Sequence, residues 1–286
     1  MTGPGARRLH MVTLVITVLV ALVNAGLAAF GILSPGAAFG LWLAVEIPLG
    51  VMVGIITVLR IRSLRREGLG WNAVLDEITG KIAADLIRFE VRGYRAIWLF
   101  VRRRYDGGGP GVVPLGYTKG TMGIPMAFLV ACVIEAVVVH VLVPWPAIRD
   151  ALLVLSIWGL IQIFGILAGR ITHPHLLTDS RLTIRAGHQV IVTLDRQDVG
   201  RALERRRWEH TAQIVDDDAL YLPGPDGTCL DLVLTEAVDV TRPAFFEHKR
   251  ATASVSRLSL QVDDPEAVVA QFRAARPRPE QFRTEA

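Results

Sequence analysis

The stretch MGIPMAFLVACVIEAVVVHVLVPWPAIRDALLVLSIWGLIQIFGILAGRITHPHLLT, residues 122–178, decides the architecture. It holds two apolar runs, 122–143 and 148–169, joined through Pro144, Trp145 and Pro146. A helix needs about 20 apolar residues to cross a hydrocarbon core, and neither run carries Lys, Arg or Asp in its central part. The runs predict a transmembrane hairpin over residues 122–169. After Arg170 the pattern changes to short alternating stretches, so a β-rich region over 170–286 is expected to follow the last span.

Two further apolar runs, 9–32 and 37–59, lie toward the amino terminus on either side of Ser34, Pro35 and Gly36 and predict a second hairpin within residues 1–60. The first exceeds the roughly 7 to 15 apolar residues of a signal peptide, so Arg7 and Arg8 are read as flanking a retained anchor. Composition agrees with a membrane protein: 51% of the 286 residues are hydrophobic and 20% are charged, whereas soluble domains carry about 25% charge. Cys132 falls in an apolar run and Cys229 in the polar carboxy-terminal half, so no disulfide is expected. Arg60, Arg62, Arg65, Arg66, Arg102, Arg103, Arg104 and Lys119 crowd the connection between the second and third spans, and the short links carry little charge. Positive loops stay inside, which places both termini and the 61–121 connection in the cytoplasm of a multi-pass cell-membrane protein.

Within that connection Trp71, Leu75, Ile78, Ile82, Leu86, Phe89, Ile97 and Phe100 recur at helical spacing, with Lys81, Arg88, Arg92, Arg95 and Arg102 mostly opposite. This predicts a basic amphipathic helix. Arg88, Arg92, Arg95, Arg102, Arg103 and Arg104 then meet anionic headgroups, with Trp71 and Trp98 at the acyl boundary; packing of the same stripe on the protein itself is the competing reading. Gly107, Gly108, Gly109, Pro110 and Gly111 predict a flexible joint before the third span.

Beyond Arg170, alternating runs at 182–185, 190–194, 219–222, 230–234 and 255–262 predict strands, with turns at Gly187 and at Pro225, Asp226 and Gly227. Asp263 or Asp264 offers a helix N-cap, Pro265 fits the first turn, and Val268, Val269 and Phe272 form an apolar face. The expected fold is an α+β membrane protein: a four-transmembrane-helix bundle followed by an antiparallel β domain closed by a carboxy-terminal helix. That order of strands and helix resembles bacterial PH-like domains attached to membrane helices. The run Thr172, His173, Pro174, His175, Leu176, Leu177, Thr178, together with Val262, Asp263, Asp264 and Pro265, is similar to uncharacterised actinobacterial integral membrane proteins. The resemblance covers about the last 110 residues, and implies a fold and a compartment but no activity and no ligand site.

The polar residues inside the spans are candidates for chemistry. Glu46 and Glu135 lie at similar depth, ~12 to 14 Å below the outer surface at ~1.5 Å per residue, with Asn24 and Ser156 near the same level and His140 closer to the surface. Carboxylates in a membrane suggest an ion path, a proton relay or a ligand site. The alternative is that each Glu is protonated and hydrogen-bonded to a neighbouring helix or to the carbonyl that Pro48 frees. Glu135 and His140, five residues apart, miss the spacing of a metal pair, and His173 and His175 lack further ligands in sequence, so no metal is expected. His173, Pro174 and His175 read as a stiff polar junction between membrane and domain. Asp216, Asp217 and Asp218 read as a solvated turn, and Arg205, Arg206 and Arg207 beside Trp208 as a solvated basic edge near the membrane. No GxSxG, P-loop, HExxH or dinucleotide fingerprint occurs; no catalytic residues and no cofactor are expected, and nucleic acid is not an expected partner.

The reading is a non-enzymatic scaffold or regulatory protein that presents its domain to a protein partner or to inner-leaflet lipid, alone or as a homo-oligomer. The alternative is a small oligomeric transporter or proton-coupled carrier that uses Glu46 and Glu135.

Overall fold

Apolar length and helix end signals set the membrane part. The computed structural model describes residues 17, 19, 20, 22–24, 26, 27, 34–244 and 246–274. Helix α1, Pro35–Arg66, starts where Ser34 accepts a hydrogen bond from the Ala37 N–H at 3.3 Å and Pro35 occupies the first turn. It runs past the expected end at residue 59 because nothing between Arg60 and Arg66 breaks a helix. Gly68, at φ +85°, turns the chain away. A single amphipathic helix is expected next; Gly80, at φ +78°, divides it into α2, Trp71–Thr79, and α3, Lys81–Val101.

The chain divides into two compact units, one ending at Ile87 and the other beginning at Arg88. The second contains α4, Gly123–Leu142, and α5, Pro146–Thr172. The 27 residues of α5 span about 40 Å, some 10 Å more than a hydrocarbon core. Burial shows where the excess goes. Val154 and Leu155 are exposed, whereas Gly165, Leu167, Ala168, Gly169 and Thr172 are buried, so the last two turns of α5 belong to the domain.

The domain begins before the hairpin. Strand β1, Val113–Leu115, precedes α4, and β2, His175–Leu177, follows α5; they pair antiparallel, with Val113 opposite Leu177 and Leu115 opposite His175. That ladder requires the hairpin to return to the side of the membrane it left. β3, Arg181–Ala186, and β4, Gln189–Asp195, complete a four-stranded sheet in the order β1-β2-β3-β4. A second sheet has the order β5-β8-β9-β7-β6, from Val199–Arg207, Thr228–Thr241, Thr252–Leu260, Ala219–Leu222 and Ile214–Asp216. Both sheets feed one core, Leu177, Leu182 and Ile184 from the first and Leu220, Leu232 and Leu258 from the second. Helix α6, Pro265–Ala274, adds Val268, Val269 and Phe272, and is capped by the Asp264 Oδ1 accepting from the Ala267 N–H at 2.9 Å.

The expected fold class is corrected on two counts. Four spans are expected, and three helices among the described residues are long and apolar enough to cross a membrane, the stretches 40–66, 123–142 and 146–172. The expected first span, 9–32, lies outside the described residues apart from the helical positions between Thr17 and Leu27 named above. An apolar run supplies length alone, and the structure places these three as continuous helices of that length. Second, the carboxy-terminal region is not an antiparallel, closed PH-like domain. Its sheets are open, β7 and β9 pair parallel, and β1 comes from the segment before the third expected span. Alternation marks strands but not their partners, and here side-chain packing, rather than a continuous ladder, joins the sheets.

Beyond Glu90, α3 meets α5 at a close local approach. The Trp158 Nε1–H donates to Glu90 Oε1 at 3.0 Å, Gln162 Nε2 reaches Tyr94 Oη at 3.2 Å, and Phe100 meets Phe164 edge-on with ring centres 5.6 Å apart. Two glycines set the spacing: a Cβ built on Gly165 would lie 3.0 Å from Gly93 Cα. Small residues allow helices to approach this closely. Gly165→Leu is expected to force α3 from α5 and destabilise the protein by about 1 to 3 kcal/mol, seen as a lower unfolding midpoint of the full chain in detergent; an unchanged midpoint contradicts the close approach.

Candidate functional site at the membrane junction

Three elements end at one point. Past α3, the Asp106 N–H donates to the Thr172 carbonyl at 2.8 Å, tying that segment to the last residue of α5. Its carboxylate accepts from Arg95 of α3 and, at 3.2 Å, from Arg185 Nη1 of β3, which also donates to the Asp106 carbonyl at 3.0 Å. Only 11% of the Arg185 side chain is exposed, and 20% of that of Asp106. Gly107, at φ +74°, follows because any Cβ there would come within 2.9 Å of Leu176 Cδ1.

Histidines line the other side of the clamp. His173 ends α5, and its Nδ1 lies 3.1 Å from the Gly169 carbonyl and 3.0 Å from Thr172 Oγ1. A carbonyl can only accept, which assigns the proton to Nδ1 and leaves Nε2 with a lone pair. That lone pair faces His188 Nδ1 at 3.4 Å, with Asp106 Oδ2 at 3.8 Å. His188 reaches it from the β3–β4 hairpin across Gly169, where a Cβ would lie 2.7 Å from the imidazole. His175 points elsewhere. Its Nδ1 accepts from the Arg185 N–H at 3.0 Å and its ring packs on Tyr117, whose hydroxyl donates to the His173 carbonyl at 3.3 Å and accepts from the Gly187 N–H at 3.0 Å.

Burial pushes His175 down to about 4. It also brings His188 to about 4, with the neighbouring His173 and Arg92 adding to the shift. His173 is lowered by burial against the opposing pull of Asp106, and burial raises the Tyr117 hydroxyl. The imidazoles are therefore neutral at neutral pH. Protonating His173 at Nε2 would aim an N–H at Asp106 and break the lone-pair contact with His188, so the geometry can convert a proton into a new ion pair.

The sequence-expected residues fall as follows. His173 and His175 face different partners, and among the described residues no group of three or more metal-binding side chains occurs. Glu46 and Asn24 belong to the unit ending at Ile87, each with a buried side-chain oxygen that has no hydrogen-bond partner among the described residues. In the other unit Glu135 is exposed on α4, and His140 and Ser156 are half-buried on α4 and α5. Arg95 pairs with Asp106, Arg88 and Arg92 are half-buried, and Arg102, Arg103 and Arg104 are exposed. Trp98 is 50% exposed with Arg102 4.5 Å from its ring centre, and Trp71 is 65% exposed with Arg65 at 4.8 Å. Of the arginine run in β5, Arg207 turns inward to Asp231 at 2.9 Å while Arg206 stacks on Trp208 at 4.7 Å, as strand alternation requires.

Asp106, Arg185, His188, Tyr117, Glu90 and Gln162 escape a reading of the sequence. Gln162 carried a signal, as an amide inside an apolar span. The others did not, because their partners lie far along the chain: 79 residues separate Asp106 from Arg185.

Two outcomes are expected. Asp106→Ala leaves Arg185 buried without its anion and costs about 3 kcal/mol, read as a lower midpoint of chemical unfolding; no change contradicts the clamp. Between about pH 4 and pH 6.5 the unfolded chain binds protons that the buried imidazoles refuse, so stability falls as pH falls through that window. For His175 the loss is about 2 kcal/mol between pH 7 and pH 5, and a midpoint independent of pH there contradicts the neutral assignment.

Comparison with known family models, with curated proteins and with solved structures found no match for this chain.

Proposed function

We propose that the protein is a non-enzymatic membrane platform, which holds its β-rich domain in a fixed pose at the cytoplasmic surface for a protein partner or for inner-leaflet lipid. The observation that carries this reading is the β1–β2 ladder, closed across both ends of the α4–α5 hairpin, with α5 entering the domain without a linker. A flexible tether would suit a domain that searches for its target; this mount fixes orientation and height instead. The arginines at the ends of α1 and α3 support the cytoplasmic side. Exposed Val91, Trp98 and Val101 on α3, beside Arg102, support contact of that helix with lipid.

Removing residues 170–286 is expected to abolish recovery of a protein or lipid partner from mild-detergent extracts of the native membrane while the truncated chain still inserts. Equal recovery with and without those residues contradicts the platform reading.

A further inference from the structure

A cleft of about 660 Å³ lies beside the junction, where the first turn of α4 and the end of α5 meet the domain. Its size is within the ~300 to 1,000 Å³ of small-ligand sites. Arg170 supplies its charge, Arg185 lines it while paired with Asp106, Tyr117, Thr121 and Gln213 add polar groups, and no carboxylate is among the described residues that line it. Arg170 Nη2 reaches Thr121 Oγ1 at 3.4 Å, and among the described residues no carboxylate lies within ion-pair distance of it. Arg185 keeps a buried Nε without a partner among the described residues on the same wall.

Position selects the occupant. Ile124, which forms the lip, is 76% exposed and begins a membrane-spanning helix, with exposed Phe128 one turn further on; Arg170 lies one turn from the end of another. The cleft thus opens at the depth where hydrocarbon gives way to headgroups, with cations inside and an apolar rail leading away from it.

We propose that the cleft holds the phosphate headgroup of an anionic phospholipid from the surrounding bilayer, with Arg170 as its principal cation and the acyl chains along Ile124 and Phe128. This deepens the platform reading and rests on the domain being seated at the membrane surface. A ligand at about ten times its dissociation constant slows exchange through local opening about tenfold.

The test is amide hydrogen exchange on the full chain in nanodiscs of phosphatidylcholine alone, of phosphatidylcholine with phosphatidylglycerol, and of phosphatidylcholine with added inorganic phosphate. The expected result is about tenfold slower exchange around residues 121–124, 185–189 and 222–224 with phosphatidylglycerol only, lost in Arg170→Gln. Gln213→Glu, a change at an exposed position that leaves packing intact, is expected to weaken that protection by repelling the phosphate. Equal exchange in both lipids overturns the proposal, as does full protection in both variants. Equal protection by inorganic phosphate overturns the lipid source. Residues 105–107 and 173–177 report separately on the seating: rapid exchange there under every condition overturns the platform, whereas protection there without a lipid response overturns the headgroup site alone.

Discussion

Asp106 holds the second unit together. Its backbone N–H ends α5, its carboxylate joins α3 to β3, and the glycine after it lets Leu176 of β2 pack against the turn. A carboxylate so little exposed is stable only because two guanidinium groups satisfy it. With the clamp formed, β1 lies beside β2, the hairpin of spans closes, and the histidine side chains stack into the space between helix and sheet. The domain is thus joined to the membrane part by short, directional bonds.

The same arrangement explains why the junction is polar. Two helix ends and a strand end meet there, each with backbone groups in need of partners. Thr172, His173 and Tyr117 serve carbonyls and amides at the end of α5 and in the β3–β4 turn. Charge-assisted bonds fix the geometry, neutral imidazoles fill the volume, and the cost is a junction that acid loosens.

How much of this was legible follows from range. Three of the four expected spans could be read from apolar length, and the α6 face from helical spacing: Val268, Val269 and Phe272 are buried as that spacing requires. Four of the five alternating runs lie within strands for the same local reason, and the fifth, 255–262, overruns the end of β9 at Leu260 by two residues. The three residues of β1 carry no pattern of their own, and only pairing with β2 makes them a strand. Gly80 was visible as a glycine, but its positive φ was not, so one expected helix became two. His173 and His175, read together as one stiff polar junction, take separate places: His173 caps a helix and His175 enters a sheet. Arg95, placed by periodicity opposite the apolar stripe among the cations expected to meet headgroups, is drawn to a carboxylate eleven residues on.

The central claim is that the domain holds one pose relative to the α4–α5 hairpin, and a distance distribution tests it most directly. Spin labels at Leu142, exposed at the far end of α4, and at Asp239, exposed on β8, would be measured by pulsed dipolar spectroscopy in nanodiscs, with Cys132 and Cys229 replaced by alanine. A single narrow distribution is the expected result; a broad or multiple one, as from a domain on a flexible tether, would contradict the account.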